Sequence, residues 1–335
     1  MSFTKESNDL MRFFTDNFHK ISSKKGPINQ KNTDKILNTL YDDIRLSSRL
    51  IDMVINNSKF KKQSIKINKW SDAPKCDLLE STFVPKNIYE KIKFVNGYLK
   101  VNCNLNDKNI TIYIFTFDDT YKNINYYNKH IKNILMVLKI LLLYSNSKKG
   151  SLKIYLYLSK ENKLLPENSL KILDKNNCNS AVTTACNSNG SILIYRQEEW
   201  LKVCIHELFH TLCLDFNAGN HSEVKLRFHD LFNIKSDMEI SEAYCEFWAT
   251  IINCCFCSYN LLDDPCDKST FLLYTEFCIE FERTFSFFQA YKILNFMGLT
   301  YKEFISNTEE NKILKHTLYR ENTNVFTYYI LKMVL

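Results

Sequence analysis

Residues 200–216, WLKVCIHELFHTLCLDF, place apolar side chains on nearly every side of a helix and contain neither Gly nor Pro. Trp200, Leu201, Val203, Ile205, Leu208, Phe209 and Leu212 leave no broad polar face, so such a helix must be enclosed by the rest of the chain. Glu198 and Glu199 stand where a helix's first turn favours acidic groups, and the pattern continues through Leu214, which predicts one helix of about four turns. Polar side chains on an enclosed helix need partners. Here they are His206, Glu207 and His210.

The remaining sequence has the means to enclose it. The chain's 335 residues suffice for one large domain or two ordinary ones, and 24 Phe with 19 Tyr supply bulky core groups, whereas only 6 Gly and 5 Pro argue against a loop-dominated chain. The net charge of +7 comes from scattered lysines without a dense basic block, which predicts a solvated basic surface and no nucleic-acid partner. The opening MSFTKESNDLMRFFTDNFHK lacks the apolar run of a secretory leader. The stretch ILMVLKILLLY at 134–144 is too short to cross a bilayer, and Lys139 interrupts it. A cytoplasmic protein without a membrane anchor is therefore expected. Its 12 cysteines are expected to be mostly core thiols of a reducing compartment, and Cys254, Cys255 and Cys257 lack the paired spacing of a structural zinc site.

Periodicity divides the chain into three. Residues 1–85 read as a helical extension, with apolar residues three and four apart in NDLMRFFTDNFHKI and TDKILNTLYDDIRLSSRLIDMVI, a loop at 22–32, and a short strand with a break at 59–75. Between 86 and 220 the period becomes that of strands. KIKFVNGYLKVNCNL sets two β-rich runs about Asn96-Gly97, a hairpin signal. ITIYIFTF at 110–117 and LKIYLYLS at 152–159 follow, separated by a helix at about 122–146, and then SAVTTAC and SILIY (191–195). Residues 221–335 read as mainly helical. The expected class is α+β, a small twisted, mostly antiparallel or mixed sheet packed on helices, with a helical N-terminal extension and a mainly helical C-terminal half.

His206 and His210 are four apart, so a 3.6-residue turn sets them about 40° apart on one face, able to share one ion. Zinc accepts neutral imidazole nitrogen at about 2.0–2.1 Å, and Glu207 can reach a water completing the coordination shell. This is the HExxH arrangement of metallohydrolases. A catalytic zinc also takes a third protein ligand. Cys213 and Phe216 exclude the longer three-histidine pattern. Asp215 falls about 140° from His210 if the helix continues that far, which is the wrong side. His221 and His229 are weaker candidates than SDMEISEAYCEFWATIINCC at 236–255. That segment opens with Ser236 and Glu239 in capping-box spacing and continues as an apolar helix. The cap accounts for Glu239. Glu242 and Glu246 share one face of the same helix without an explanation, and a buried carboxylate wants a cation or a donor.

HELFH followed, after residues 211–241, by Glu242 in SEAYCEFWA resembles the zincin metallopeptidases whose third ligand is a glutamate, often called gluzincins. The resemblance covers roughly residues 90–260. It implies one Zn²⁺ held by His206, His210 and Glu242, with Glu207 as general base acting on a peptide or protein substrate and Glu246 supporting a zinc-bound histidine. It also implies a zincin-like sheet with a short edge strand just before the motif helix, the place expected for SILIY. The chain departs from the family in two respects. Ser241 stands where Asn is usual, and His229, Tyr244, His316 and Tyr319 all stay open as the oxyanion-stabilising group. The alternative is a zincin-like protein that keeps its metal for folding or partner binding and hydrolyses nothing.

Overall fold

Strands form where β-branched and aromatic residues alternate: β1 (Lys61–Lys66), β2 (Gly97–Leu105), β3 (Lys108–Thr116), β4 (Gly150–Ser159), β5 (Ala181–Thr183) and β6 (Asn189–Arg196). The computed structural model describes residues 5–21, 30–216, 219 and 221–334. All six strands belong to one sheet of order β1-β2-β3-β4-β6-β5. The pairs β1 with β2, β2 with β3, and β5 with β6 are antiparallel, whereas β3 with β4 and β4 with β6 are parallel. The sheet is mixed and the class is α+β. Parallel neighbours need long crossovers.

Helices α1 (Lys5–Ile21) and α2 (Gln30–Ile55) precede the sheet, and α3 (Lys86–Ile92) comes before β2. Helix α4 (Asn128–Tyr144) carries the chain from β3 to β4, and the short α5 (Lys175–Cys178) lies between β4 and β5. Helix α6 (Trp200–Thr211) follows β6 directly. After it come α7 (Ser222–Phe232), α8 (Ile240–Asn260), α9 (Lys268–Phe296), α10 (Tyr301–Ile305), α11 (Glu309–Leu318), a π-helical turn (Phe326–Leu331) and α12 (Lys332–Val334). The loop expected at 22–32 falls outside the described residues up to 29, and α2 already begins at Gln30. No helix among the described residues is long and apolar enough to cross a membrane.

Both faces of the sheet are covered, which accounts for the near-continuous apolar character of β4 and β6. Leu99, Val101, Ile112, Ile154, Ile192 and Ile194 meet residues of α2, α4, α6 and α8 in the main core cluster. Tyr98, Phe115, Tyr155, Tyr157 and Tyr195 alternate with them onto the other face, where Ile88 and Ile92 of α3 pack. The Phe115 and Tyr157 rings stack there at 4.1 Å. A third cluster joins Phe232, Met238, Ile293, Phe304, Tyr319 and Phe326, and so fixes the π-helical turn to the helices before it.

Two local expectations are corrected. Asn96-Gly97 does not turn a hairpin: the run before it begins as the end of α3, anchored by the fully buried Ile88 and Ile92, and continues as a turn rather than a strand, and Gly97 opens β2. The tight turn is Asn106-Asp107, at φ 50° and 66° between the paired residues Leu105 and Lys108. Asn and Asp tolerate that left-handed backbone, which suits the twist of a two-residue hairpin. Gly97 answers a steric demand instead, since a Cβ there would stand 2.7 Å from the Tyr121 ring and 2.8 Å from the Ile65 carbonyl. SILIY, in turn, is not the edge. It lies between β4 and β5, with Ile192 to Tyr195 fully buried, and the edge is Ala181–Thr183.

The expectation of free thiols fails for one pair. Cys186 and Cys213 form a disulfide across 27 residues, while the other ten cysteines are free. Neither residue marks itself in sequence, because the bridge depends on where the β5–β6 connection meets the end of α6.

Candidate metal centre

Helix α6 is shorter than its apolar pattern suggests, running only from Trp200 to Thr211. At its start Glu199 is not in the first turn but stands at the position before it in a left-handed conformation (φ 55°), without a side-chain cap bond. Lys202 and Lys163 each place an ammonium 3.2 Å from the Glu199 carboxylate. The Lys202 charge first, and Lys163 after it, hold Glu199 down at about 2 against the effect of burial. At the other end the chain does not continue to Leu214 as helix. Cys213 adopts φ 55°, and the Leu214 N–H turns back to the Phe209 carbonyl at 2.9 Å, a helix-ending reversal.

That reversal overturns the placement of Asp215 on the wrong side, which assumed a continuing helix. The Asp215 carboxylate lies 2.6 Å from His210 Nδ1 with its side chain 4% exposed.

His206, Glu207 and His210 are 6%, 9% and 7% exposed, so the enclosure expected of this helix is real and its polar groups must be satisfied internally. Helix α8 supplies the partner. It begins at Ile240 with Glu239 at the cap position, and no side chain caps it, so the box expected between Ser236 and Glu239 does not form. Glu239 instead accepts from Lys225 Nζ at 2.5 Å. Glu242 falls in the first turn of α8, where the helix dipole favours an anion.

From there Glu242 Oε2 reaches 3.0 Å from His206 Nε2 and 3.4 Å from His210 Nε2, and the two imidazole nitrogens are 3.1 Å apart. A regular tetrahedron of ligands about zinc at 2.0–2.1 Å has edges of about 3.3 Å. The three distances fit that figure, and two imidazoles with a carboxylate are the donor set a borderline divalent ion takes. His221, by contrast, packs on the Phe216 ring at 5.0 Å, and His229 belongs to α7; neither joins the group.

Behind each imidazole stands a carboxylate. Asp215 faces His210 Nδ1, and Glu246 Oε2 lies 3.2 Å from His206 Nδ1, close enough to act on its charge though not aligned as a hydrogen bond. Such outer carboxylates fix ring orientation and tautomer. Glu246 is itself ion-paired with Lys202. Cys245 Sγ sits 3.9 Å from His210 Nδ1, making a second cluster with Asp215. Burial pushes its thiol up to about 11, so it stands by as a neutral group.

Burial opposes a charge on His206, but Glu242 and Glu246 overcome it and raise the ring to about 9. Burial also opposes a charge on His210, and Asp215, Cys245 and Glu242 raise that ring in spite of it. Glu242 is lowered, since the two rings outweigh its burial. The pocket thus demands positive charge, and any cation entering it competes with protons. Glu207 is shifted the other way, raised by burial, and no described side chain hydrogen-bonds its carboxylate.

His206, Glu207 and Glu246 open onto a cleft walled by Ser180 and Ala181 at the sheet edge, by Glu282 and Phe285 of α9, and by Tyr328, Tyr329 and Lys332 near the C-terminus. Buried Arg196, at the end of β6, fixes one wall by donating to the carbonyls of Asn179, Glu161, Asn162 and Asn176 at 2.7–2.9 Å. Of the four groups open as oxyanion stabiliser, none lines the cleft. Tyr319 is buried in the third cluster and donates to Glu321 at 3.0 Å, Tyr244 packs on Phe216 at 4.8 Å, and His229 and His316 lie on α7 and α11. Tyr328 is the residue that the sequence did not single out. Its ring meets His206 edge-on at 6.0 Å, and burial raises its hydroxyl well above the ordinary value, so it stays protonated. Compared with protein-family models, curated proteins and solved structures, the chain matches none.

Proposed function

We propose that the protein is a zinc-dependent peptidase of the zincin type with a glutamate third ligand, hydrolysing peptide bonds in the cleft beside α6. The observation that carries this reading is the approach of His206 Nε2, His210 Nε2 and Glu242 Oε2 to within 3.0–3.4 Å of one another, with His206 and Glu207 lining one cleft. His206, His210 and Glu242 would hold Zn²⁺, which would supply Lewis acidity toward a water and a substrate carbonyl. Glu207, raised by burial and without a side-chain hydrogen bond among the described residues, takes the proton of the attacking water and delivers it to the leaving amine. Tyr328, held protonated, donates to the oxygen on which negative charge develops.

A peptide is the substrate class that the sheet edge favours. Ser180 O accepts from Tyr195 N–H, and Thr184 N–H donates to Ser191 O, so the alternation of an antiparallel ladder turns the N–H and C=O of Ala181 and Thr183 away from β6. An extended chain laid along that edge gains strand-type hydrogen bonds beside Glu207. A cytoplasmic setting belongs to the same reading, and it makes the redox state of the Cys186–Cys213 bridge matter.

The deciding experiment pairs two variants. Glu207→Gln is expected to keep one zinc per chain and lose at least about 10²-fold in peptide hydrolysis. Glu242→Ala is expected to lose the zinc itself. Unchanged hydrolysis in Glu207→Gln contradicts the assignment. Zinc retained by a wild type that cleaves no peptide favours the non-catalytic alternative.

A further inference from the structure

We propose that the Cys186–Cys213 disulfide positions Asp215 against His210, so that the chain holds its metal tightly only when this bridge is oxidised. The inference rests on the metal centre proposed above, though not on hydrolysis. Asp215 reaches His210 because the chain leaves α6 at Thr211 and reverses through Cys213, whose φ of 55° is disfavoured for a residue with a side chain. Cys186, at φ 49°, is its counterpart in the β5–β6 connection, and the bridge joins the two with their Cα atoms 4.6 Å apart.

The two segments meet at a ligand residue. The Cys186 N–H donates to the His210 carbonyl at 2.8 Å, and the Thr183 and Thr211 hydroxyls are hydrogen-bonded to each other. At Gly190 the packing is so close that a Cβ would stand 2.6 Å from the Thr211 methyl. The bridge is the covalent tie across this contact, two residues before Asp215. Among the described residues, His210 is the one hydrogen-bond partner of the Asp215 carboxylate. Backbone bonds from Cys213 N–H to His210 O at 3.2 Å and from Leu214 N–H to Phe209 O at 2.9 Å close the same reversal, and they loosen with it on reduction while the ladder within α6 stays formed.

The chemistry balances with a dithiol as co-reactant. It gives two electrons and two protons, the Sγ–Sγ bond breaks, two thiols form on Cys186 and Cys213, and the dithiol closes its own disulfide. Freed from the bridge, the reversal at Cys213 relaxes, and His210 Nδ1 loses the carboxylate that orients its ring. Loss of such an outer partner typically costs about 10- to 100-fold in metal affinity.

The test is zinc affinity of the full-length chain, measured by chelator competition in five forms: wild type oxidised, wild type reduced with a phosphine that is then removed, Cys186→Ser/Cys213→Ser, and Asp215→Asn with and without reduction. Thiol titration of the unfolded oxidised protein should find ten free thiols rather than twelve. The Kd should rise about 10- to 100-fold in the reduced and double-serine forms. It should rise comparably in Asp215→Asn, in which reduction should then add little, because both changes act through the same carboxylate. A lower melting temperature of the metal-free protein with an unchanged Kd overturns the proposal and leaves the bridge merely structural. So does an undiminished effect of reduction in Asp215→Asn, or a titration of twelve thiols. If the oxidised wild type binds no zinc, the metal centre falls and this proposal falls with it. Zinc binding that ignores redox state overturns this proposal alone.

Discussion

At the scale of single residues, the centre separates groups fixed by helical spacing from groups delivered by the fold. Tyr328 is of the second kind, and its role yields a specific expectation. Tyr328→Phe keeps the ring against His206 and removes only the hydroxyl, so zinc content should be unchanged while kcat for peptide hydrolysis falls about 10²- to 10³-fold. An unchanged kcat excludes Tyr328 as the oxyanion donor. His206, Glu207 and His210 were legible because four residues of any α-helix bring two side chains to one face, whatever surrounds them. Glu242 was legible by another route, as a carboxylate on an apolar helix with nothing nearby in sequence to explain it. Asp215 was not. Its position depends on the left-handed turn at Cys213, and apolar residues that continue through Leu214 conceal where the helix stops. Tyr328 gave no signal at all, because its distance from His206 is set by packing of the third cluster rather than by spacing.

At the scale of elements, alternation proved a sound guide where a strand has one aliphatic and one aromatic face. In β4, Leu152, Ile154 and Leu156 point to one side and Tyr155 and Tyr157 to the other, a period of two that no helix reproduces. Turn dipeptides proved poorer guides, since Asn-Gly promises a hairpin only if strands flank it on both sides. The structure puts the constraint at Asn106-Asp107, and this can be measured. Asn106→Val places a β-branched residue at φ 50° and should destabilise the protein by about 1–2 kcal/mol in chemical denaturation, whereas Asn106→Gly should cost almost nothing. Equal costs for the two would mean that the turn does not hold this backbone in solution. The edge strand was misassigned for a related reason. After Ser191 the run is Ile192, Leu193, Ile194 and Tyr195, buried on both faces, which marks an interior strand, while the true edge is three residues long and carries a polar Thr183.

At the scale of the whole molecule, two walls of the cleft are joined through Leu173. Leu173, from the wall fixed by Arg196, bridges to Glu321, and the Asn322 N–H donates to the Leu173 carbonyl at 2.8 Å. Glu321 Oε2 accepts from the Tyr319 hydroxyl at 3.0 Å and from the Phe326 N–H at 2.7 Å, where the π-helical turn bearing Tyr328 begins. Burial pushes this carboxyl up to about 7 from its ordinary 4.5, even though these donors favour its charged form. A carboxyl raised in the folded state stabilises that state most when both folded and unfolded chains are protonated. Its contribution is complete below about pH 4.5 and drains away as pH rises through about 7. Glu321→Gln keeps an acceptor oxygen for both donors and cannot ionise. The variant should therefore match wild type near pH 5 and gain on it as pH rises to 8, by about 1–3 kcal/mol given that the side chain is only partly buried. Thermal unfolding of the metal-free proteins at the two pH values measures this. A gap that does not widen with pH would show that the Glu321 carboxyl titrates near its ordinary value, and that the junction of the two walls is as content with a charge as without one.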